Sequence, residues 1–411
     1  MKNILIIAAE NSAENYGTQI IDEFQNNNAP VNFFGLGGDK FLDRGVDVII
    51  HNKELAVVGI IEVISSIVKL KKYMSILVNA AKKRKADAVI LIDYPDFNIR
   101  IAKKFKRAGI PVYYYISPTV WAWRYSRVKL LKKYVTHMFI IFPFEVPIFE
   151  KEKIPFTYTG HPLLPMIKVK ENRKNFRTKM GIQESELMVS LLPGSRRSEV
   201  NFLLPGMLKA MELLKNEFKI TLFLLKAVTI ERELISDFLK ESSLHVQIIE
   251  QEQGYDLIHA SDIVLTTCGT SNLEIAIIGT PFVAVYRVNK LSYLLGKRFV
   301  KIDLYSIVNI LAQKEVIKEL IQQNFTAENI VKEMQNILAN RDVRDKMLAE
   351  FAHIRTLLAQ DKNAPEIIYK KISGDICLIK SPQNTQNASL RSGSATKHER
   401  HRKVGRNEVR G

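Results

Sequence analysis

Short runs of consecutive apolar residues alternate along the chain with longer stretches in which apolar positions recur every three or four residues. The short runs predict strands buried on both faces, and the longer stretches predict helices with one apolar side. Strands are expected at 3–8, 31–35, 88–93, 111–116 and 138–142 in the first half. In the second half they are expected at 188–192, 219–225, 245–249, 263–267 and 281–286. Strands of this kind separated by helices form parallel, doubly wound sheets, so the fold class is α/β with two Rossmann-like domains.

His161-Pro162 and Pro165 interrupt the helical pattern and mark the join between the halves. The domains expected are therefore 1–164 and 165–350. A last helical stretch, about 326–371, would supply a C-terminal helix segment (351–378) that returns toward the first domain. Residues 379–411 are rich in Ser, Asn, Gln, Arg and Lys and nearly lack large apolar side chains. Such a segment cannot bury enough surface to offset its ordering entropy, and a disordered basic tail is expected there. Two open sheets facing each other would bring the carboxyl ends of both sets of strands to one cleft, where ligands bind in this architecture.

Composition removes other classes. Of the 411 residues, 46% are hydrophobic without any repeat, which excludes coiled-coil, collagen-like and wholly disordered chains. No apolar run reaches the roughly 20 residues needed to span a bilayer. The opening apolar run ends at Glu10 and Glu14, as a first strand does and a secretory signal does not. Cys268 and Cys377 make neither a disulfide framework nor a zinc site, so a cytoplasmic protein is expected.

The net charge of +17 is unevenly placed: residues 1–68 carry −5, residues 69–133 carry +14, and residues 380–411 carry +6. A field so concentrated attracts polyanions such as nucleic acid, anionic lipid or phosphorylated substrates, although solvated helix faces look the same.

Several motifs follow strands. Asp93-Tyr94-Pro95-Asp96-Phe97-Asn98 follows the apolar run 88–92, which places the Asp93 carboxylate at a strand's carboxyl end, suited to a general base. Asp96 or Asn98 fits a cap for the next helix. Gly194-Ser195-Arg196 follows another strand, offering backbone N–H groups and a guanidinium to an anion, with Ser198 as helix cap. Gly269-Thr270-Ser271 opens a helix after 263–267, and Glu274, one turn inside, could accept hydrogen bonds from ribose; an ordinary Thr or Ser cap with an acidic first turn reads the same way. Neither loop is a Walker A or G-x-G-x-x-G sequence, and no D-x-D occurs. Residues 64–85 set Ile67, Val68, Leu70 and Met74 beside Lys71 and Lys72, a pattern shared by helices lying on anionic membrane and by core helices with basic outer faces. Both tryptophans, Trp121 and Trp123, sit in Ser117-Pro118-Thr119-Val120-Trp121-Ala122-Trp123-Arg124, which could cover a ligand or plug an interface.

Over about residues 3–370 these segments resemble, in order, the lipid-A-disaccharide synthases, glycosyltransferases of the GT-B type. The resemblance also rests on Phe34-Gly35-Leu36-Gly37-Gly38, the segment 54–63, Phe142-Pro143-Phe144-Glu145, Gly160-His161-Pro162, Gly279-Thr280-Pro281, Tyr286-Arg287-Val288 and Asn309-Ile310-Leu311-Ala312. It implies inverting transfer of 2,3-diacylglucosamine from its UDP form to 2,3-diacylglucosamine 1-phosphate, at the cytoplasmic face of the inner membrane. Asp93 would be the base, with Glu10 and Ser12 on the acceptor side. Gly194, Ser195, Arg196, Gly269, Thr270, Glu274 and Asn309 would bind the UDP-sugar. The expected partners are those two substrates and an anionic membrane surface, with no nucleic acid, no metal and no cofactor; a homodimer is compatible with them. The alternatives are a GT-B enzyme on another UDP-sugar, such as a 2-epimerase or a peptidoglycan-precursor transferase, and, from another class, a basic nucleic-acid-binding protein. The chain departs from the family pattern at Ala9 and Ala13, where glycines are usual and where a methyl group would crowd a ligand. It departs again at Val308, for proline, and at Gln313, for glycine.

Overall fold

The computed structural model describes residues 1–56, 63–121, 124–288, 304–359 and 362–377, without the side chains of 56 and 63–67. The first sheet contains β1 (Lys2–Ala8), β2 (Val31–Gly37), β3 (Asp47–His51), β4 (Ala88–Ile92), β5 (Val112–Tyr115), β6 (His137–Ile140) and β7 (Phe156–Tyr158) in the order β3-β2-β1-β4-β5-β6-β7. The second contains β8 (Leu187–Leu192), β9 (Ile220–Lys226), β10 (Val246–Glu250), β11 (Ile263–Thr267), β12 (Phe282–Tyr286) and β13 (Glu319–Ile321) in the order β10-β9-β8-β11-β12-β13.

The register of the central strands is parallel: β1 lies along both β2 and β4, and β8 along both β9 and β11. Strand order therefore reverses between β1 and β4, and again between β8 and β11. Those two reversals are where a doubly wound sheet leaves a crevice at its carboxyl edge. The two-sheet α/β class is the one the apolar runs imply.

Ten strands fall where the pattern puts them, within a residue or two at most ends. β3, β7 and β13 were not expected; β7 and β13 have only three residues, and β3 is polar at both ends and buries only Ile50. The expected helical stretch 326–371 is three helices: Ala327–Ala339, Arg341–Leu358 and Ala364–Asp375. Thr326 Oγ1 caps the first by accepting from Asn329 N, and Asn340 Oδ1 caps the second by accepting from Asp342 N and Val343 N.

The chain divides into two compact units: Met1–Tyr114 with the segment from Pro365 onward, and Tyr115–Ala364. In the first unit, the helix Asn11–Asn26 buries Ala13, Ile20, Ile21 and Phe24. Tyr369 of the last helix packs edge-on against Phe24, with ring centroids 4.9 Å apart. Tyr113 Oη donates to Asp375 Oδ2 at 2.7 Å, tying β5 to the same helix. The second unit has a continuous core that includes Val189, Leu191, Leu203, Met207, Phe223 and Val283, and Phe282 stacks on Phe351. Among the described residues no helix is long and apolar enough to cross a membrane. The expected tail, 379–411, lies outside the described residues.

Gln313 ends the helix Ile307–Ala312 in the left-handed region, at φ 55°. Glycine occupies that conformation without a Cβ penalty, whereas glutamine is strained there by about 1 kcal/mol. Gln313→Gly is expected to raise unfolding stability by about 1 kcal/mol, read from the midpoint of a urea titration.

Candidate active site

At the first reversal, Ala8 of β1 lies opposite Ile92 of β4, so the residues just beyond them are neighbours. Glu10 is exposed at the start of the helix Asn11–Asn26, and Ser12 is half-buried in its first turn. Asp93 follows β4 and is partly exposed. Asp93 and Tyr94 are both left-handed, at φ 47° and 46°. Two such non-glycine residues in a row persist only where their surroundings over-determine them. Here the Asp93 carbonyl oxygen accepts from Asn98 Nδ2 at 2.6 Å and from Tyr114 Oη at 2.7 Å. Asn98 Nδ2 also donates to Ile92 O at 3.1 Å.

The Asp93 carboxyl is pushed up to about 6. Burial is the main cause, the nearby Glu10 charge adds to it, and the Tyr94 amide opposes both. The shift corresponds to about 3 kcal/mol against the ionised form. A carboxylate so placed is a stronger base than a solvated one and still ionised at neutral pH.

Two expectations for this turn are corrected. The helix Pro95–Arg107 begins from Tyr94, with Asp96 exposed in the first turn. Asn98 is fully buried and serves the turn behind it rather than the helix ahead. Glu14, missed as a structural residue, anchors the loop after β2. It is 4% exposed, and its carboxylate accepts from Gly38 N, Phe41 N and Asn52 Nδ2 at 2.9–3.1 Å. The sequence did hold a signal, because Glu14 lies on the apolar stripe with Gly17 and Ile21. The methyl groups of Ala9 and Ala13 are buried at 4% and 1% exposure, so they fill core instead of crowding a ligand.

In the second unit, Gly194 has φ 122°, and a Cβ there would sit 2.4 Å from Glu199 Oε2. That oxygen accepts from Ser195 N at 3.1 Å and Arg196 N at 3.3 Å. Thr229 Oγ1 holds the other side of the loop through Ser195 O at 2.6 Å. The helix Arg197–Leu214 thus starts from Arg196, with Glu199 closing its first turn in place of the expected Ser198. The Arg196 side chain is 69% exposed, with Glu199 Oε1 3.5 Å away, so most of its hydrogen-bonding fork faces solvent.

Beyond β11, Gly269 N donates to Asn272 Oδ1 and Asn272 Nδ2 donates to Thr267 O, which fixes the turn into the helix Ser271–Ile278. Thr270 is exposed at its start. Glu274 is partly exposed; burial raises its pKa, and the hydrogen bond from Tyr255 Oη to its Oε1 works against that. Tyr286, at the end of β12, has its pKa raised by burial and by the charge of Glu199, against that of Arg196, so the loop after β8 lies beside it.

Asn309 is fully buried and its amide is saturated. Nδ2 donates to Ile317 O and Glu319 Oε1, and Oδ1 accepts from Val316 N and Ile317 N. Its side-chain amide has no hydrogen-bonding capacity left over, which runs against the expected direct contact with the donor. Its partner Glu319 also accepts from Tyr305 N and Ser306 N.

In the helix Val63–Lys83, Val68 is 64% exposed, Lys71 and Lys72 are exposed and Leu70 is half-buried. The Ile67 side chain lies outside the described residues. Met74 is corrected: it is 5% exposed and shares the inner face with Leu77, Val78 and Ala81. Trp121 packs edge-on against Phe144 at 5.1 Å, and Trp123 lies outside the described residues.

Comparison with known proteins adds the following. Residues 4–372 match the family described as Lipid-A-disaccharide synthetase. The chain is 37% identical over 358 residues to the lipid-A-disaccharide synthase of Geobacter metallireducens, covering 87% of this chain and 93% of that protein. It is 34% identical over 367 residues to the one from Coxiella burnetii, covering 89% and 96%. Its fold is similar to that of UDP-GlcNAc 2-epimerase from Neisseria meningitidis bound to UDP-GlcNAc, with a TM-score of 0.62, 15% identity and coverage of 90% of this chain and 99% of that one. It is similar also to the calicheamicin glycosyltransferase CalG4, with a TM-score of 0.59, 10% identity and coverage of 93% and 100%.

Carbon-13 NMR of the aspartate carboxyls is expected to show Asp93 titrating near pH 6. Glu10→Gln removes the neighbouring like charge and should lower that midpoint by about half a pH unit.

Proposed function

The chain belongs to the lipid-A-disaccharide synthetase family, and from that premise we propose how its own residues carry out the transfer. It is a UDP-sugar-dependent glycosyltransferase of lipid A biosynthesis with the GT-B fold. In our reading the donor is UDP-2,3-diacylglucosamine and the acceptor is 2,3-diacylglucosamine 1-phosphate. The acceptor 6-hydroxyl attacks the donor's anomeric carbon, its proton passes to Asp93, and the bond to UDP breaks with inversion. A β-1,6-linked disaccharide and UDP are released.

The observation that carries this reading is the Asp93 carboxyl: held on a pinned left-handed turn at a strand reversal, with its pKa raised to about 6. Glu10 and Ser12 border the acceptor and, through the Glu10 charge, keep Asp93 basic. In the second unit, Arg196 takes the departing diphosphate, aided by the Gly194-Ser195 turn and by Gly269-Thr270 at the start of the helix Ser271–Ile278. Glu274 accepts from a ribose hydroxyl, and Asn309 orders residues 305–309 beside the donor.

Diacylated sugars stay in lipid, so the enzyme must reach them at a surface. Val68, Leu70, Lys71 and Lys72 supply an apolar and basic face for the cytoplasmic side of the inner membrane. Arg100, Lys103, Lys104, Lys106 and Arg107 are exposed on the helix Pro95–Arg107, which packs with Val63–Lys83.

Asp93→Asn is expected to lower kcat by about three orders of magnitude while leaving UDP affinity within about twofold. Full turnover in that variant would remove Asp93 from the role. Because the ionised carboxyl is the base, kcat/KM of the unaltered enzyme should fall as pH drops through about 6. Val68→Ser combined with Lys71→Glu and Lys72→Glu should reduce co-sedimentation with phosphatidylglycerol vesicles by about tenfold or more. Sedimentation velocity on the same protein reads whether two copies pair.

A further inference from the structure

Glu145 is a buried carboxylate that the transfer chemistry does not use. It is 1% exposed, at the end of the turn Pro143–Glu145 that follows β6. Its Oε2 accepts from Ile141 N at 3.2 Å and Phe142 N at 3.0 Å. Its Oε1 lies 2.6 Å from Ser117 Oγ, just past the end of β5. Ser117 Oγ is also 2.9 Å from the carbonyl oxygen of Pro118. A hydroxyl has one hydrogen, so it serves one of these two acceptors at a time.

Ser117 follows Ile116, a β-branched residue held at φ 67° with its N–H on Phe139 O. That conformation is a true outlier for isoleucine and needs an external hold. Four residues on, Trp121 packs against Phe144, the residue before Glu145, and its Nε1–H is buried with no hydrogen-bond partner among the described residues. A buried donor without a partner is a place for an acceptor atom of a ligand.

We infer that Glu145 is a positioning residue for ligand binding: through Ser117 it sets the turn after β5 and the indole N–H of Trp121, and its hydrogen bond to Ser117 reverses when the carboxyl takes up a proton. With Glu145 ionised, Ser117 donates to Oε1. With Glu145 protonated, Oε1–H donates to Ser117 Oγ and the serine hydrogen turns to Pro118 O. One proton enters, no other bond is lost, and both states are fully hydrogen-bonded. The change is felt along the segment that ends in Trp121.

The groups around the carboxyl agree with this role. Burial holds its pKa up at about 7 against the three hydrogen bonds, so the exchange falls within the working range of pH. Tyr158 of β7 feels the Glu145 charge, and Lys362 lies over its ring at 4.1 Å. His161, whose ring is 5.0 Å from that of Phe142, is kept neutral by burial, with its pKa pushed down to about 3. Neither therefore titrates near pH 7 in competition. The ligand concerned is the acceptor of the transfer proposed above, and only that identification depends on the proposed reaction.

The chain's two tryptophans allow a direct test. In full-length Trp123→Phe protein, Trp121 is the lone tryptophan, and its emission is followed from pH 5 to 9 without substrate. A transition centred near pH 7 is expected, and Glu145→Gln should abolish it. Ser117→Ala keeps the carboxyl but removes its link to the turn, so it should flatten the transition as well. A flat parent, or a transition that survives Glu145→Gln or Ser117→Ala, would overturn the inference. Should Glu145→Gln fail to fold by circular dichroism, the Ser117→Ala titration decides alone. In turnover assays Glu145→Gln should raise the acceptor KM about tenfold with kcat within about twofold; an equal loss in kcat would mark a general structural role. An inactive parent that still shows the fluorescence transition refutes the transfer reading and leaves the Glu145–Ser117 relation standing.

Discussion

A parallel strand stops exchanging hydrogen bonds before its chain has turned away, and the backbone groups just past its carboxyl end need other partners. This chain meets that need with carboxylates and amides reaching in from neighbouring helices and turns. Glu14 takes the amides of Gly38 and Phe41 past β2, Asn98 donates to the carbonyls of Ile92 and Asp93 past β4, and Glu145 takes Ile141 and Phe142 past β6. In the second sheet Glu199 takes Ser195 and Arg196, and Asn272 bonds Thr267 and Gly269. Each such group left unpaired would cost about 1–3 kcal/mol, and five or six of them together match the whole stability of a typical domain. The loops just past the strands' carboxyl ends are thus among the most firmly specified parts of the backbone.

Within that frame the polar residues divide by what they have left to offer. Asn309 and Glu199 spend their hydrogen-bonding capacity on the protein itself. Burial and then the like charge of Glu10 raise the Asp93 carboxyl against the Tyr94 amide, so it is the less satisfied group. Arg196, mostly in solvent, leaves most of its guanidinium facing water. In the reading proposed above, reactivity follows from incomplete satisfaction within saturated surroundings.

Much of this was legible in the sequence, and the gaps have physical causes. Continuous apolar runs located ten strands because both faces of those strands are covered; β7 and β13 are too short to show a run, and β3 is polar at both ends with one buried residue. The position of Asp93 after an apolar run sufficed to place it at a carboxyl edge. Capping assignments failed at Asn98 and Ser198 because short polar residues look alike in sequence whether they bond forward into a helix or backward to a strand. Asn309 was read as a ligand contact since nothing in its neighbours reveals that Glu319, ten residues on, claims its amide. Met74 shows the limit of reading a mixed apolar and basic helix without its phase: a shift of one face separates core from surface.

The last helix, Ala364–Asp375, has a consequence for how the molecule comes into being. Tyr369 against Phe24 and Asp375 against Tyr113 join residues made early to residues made much later. Residues 163–358 form a single uninterrupted stretch with its own core. On the ribosome that stretch can therefore pack while the first unit still waits for its closing helix. An earlier part of the chain is thus completed after a later one, and the apolar surface that the helix covers must be kept from other chains until then.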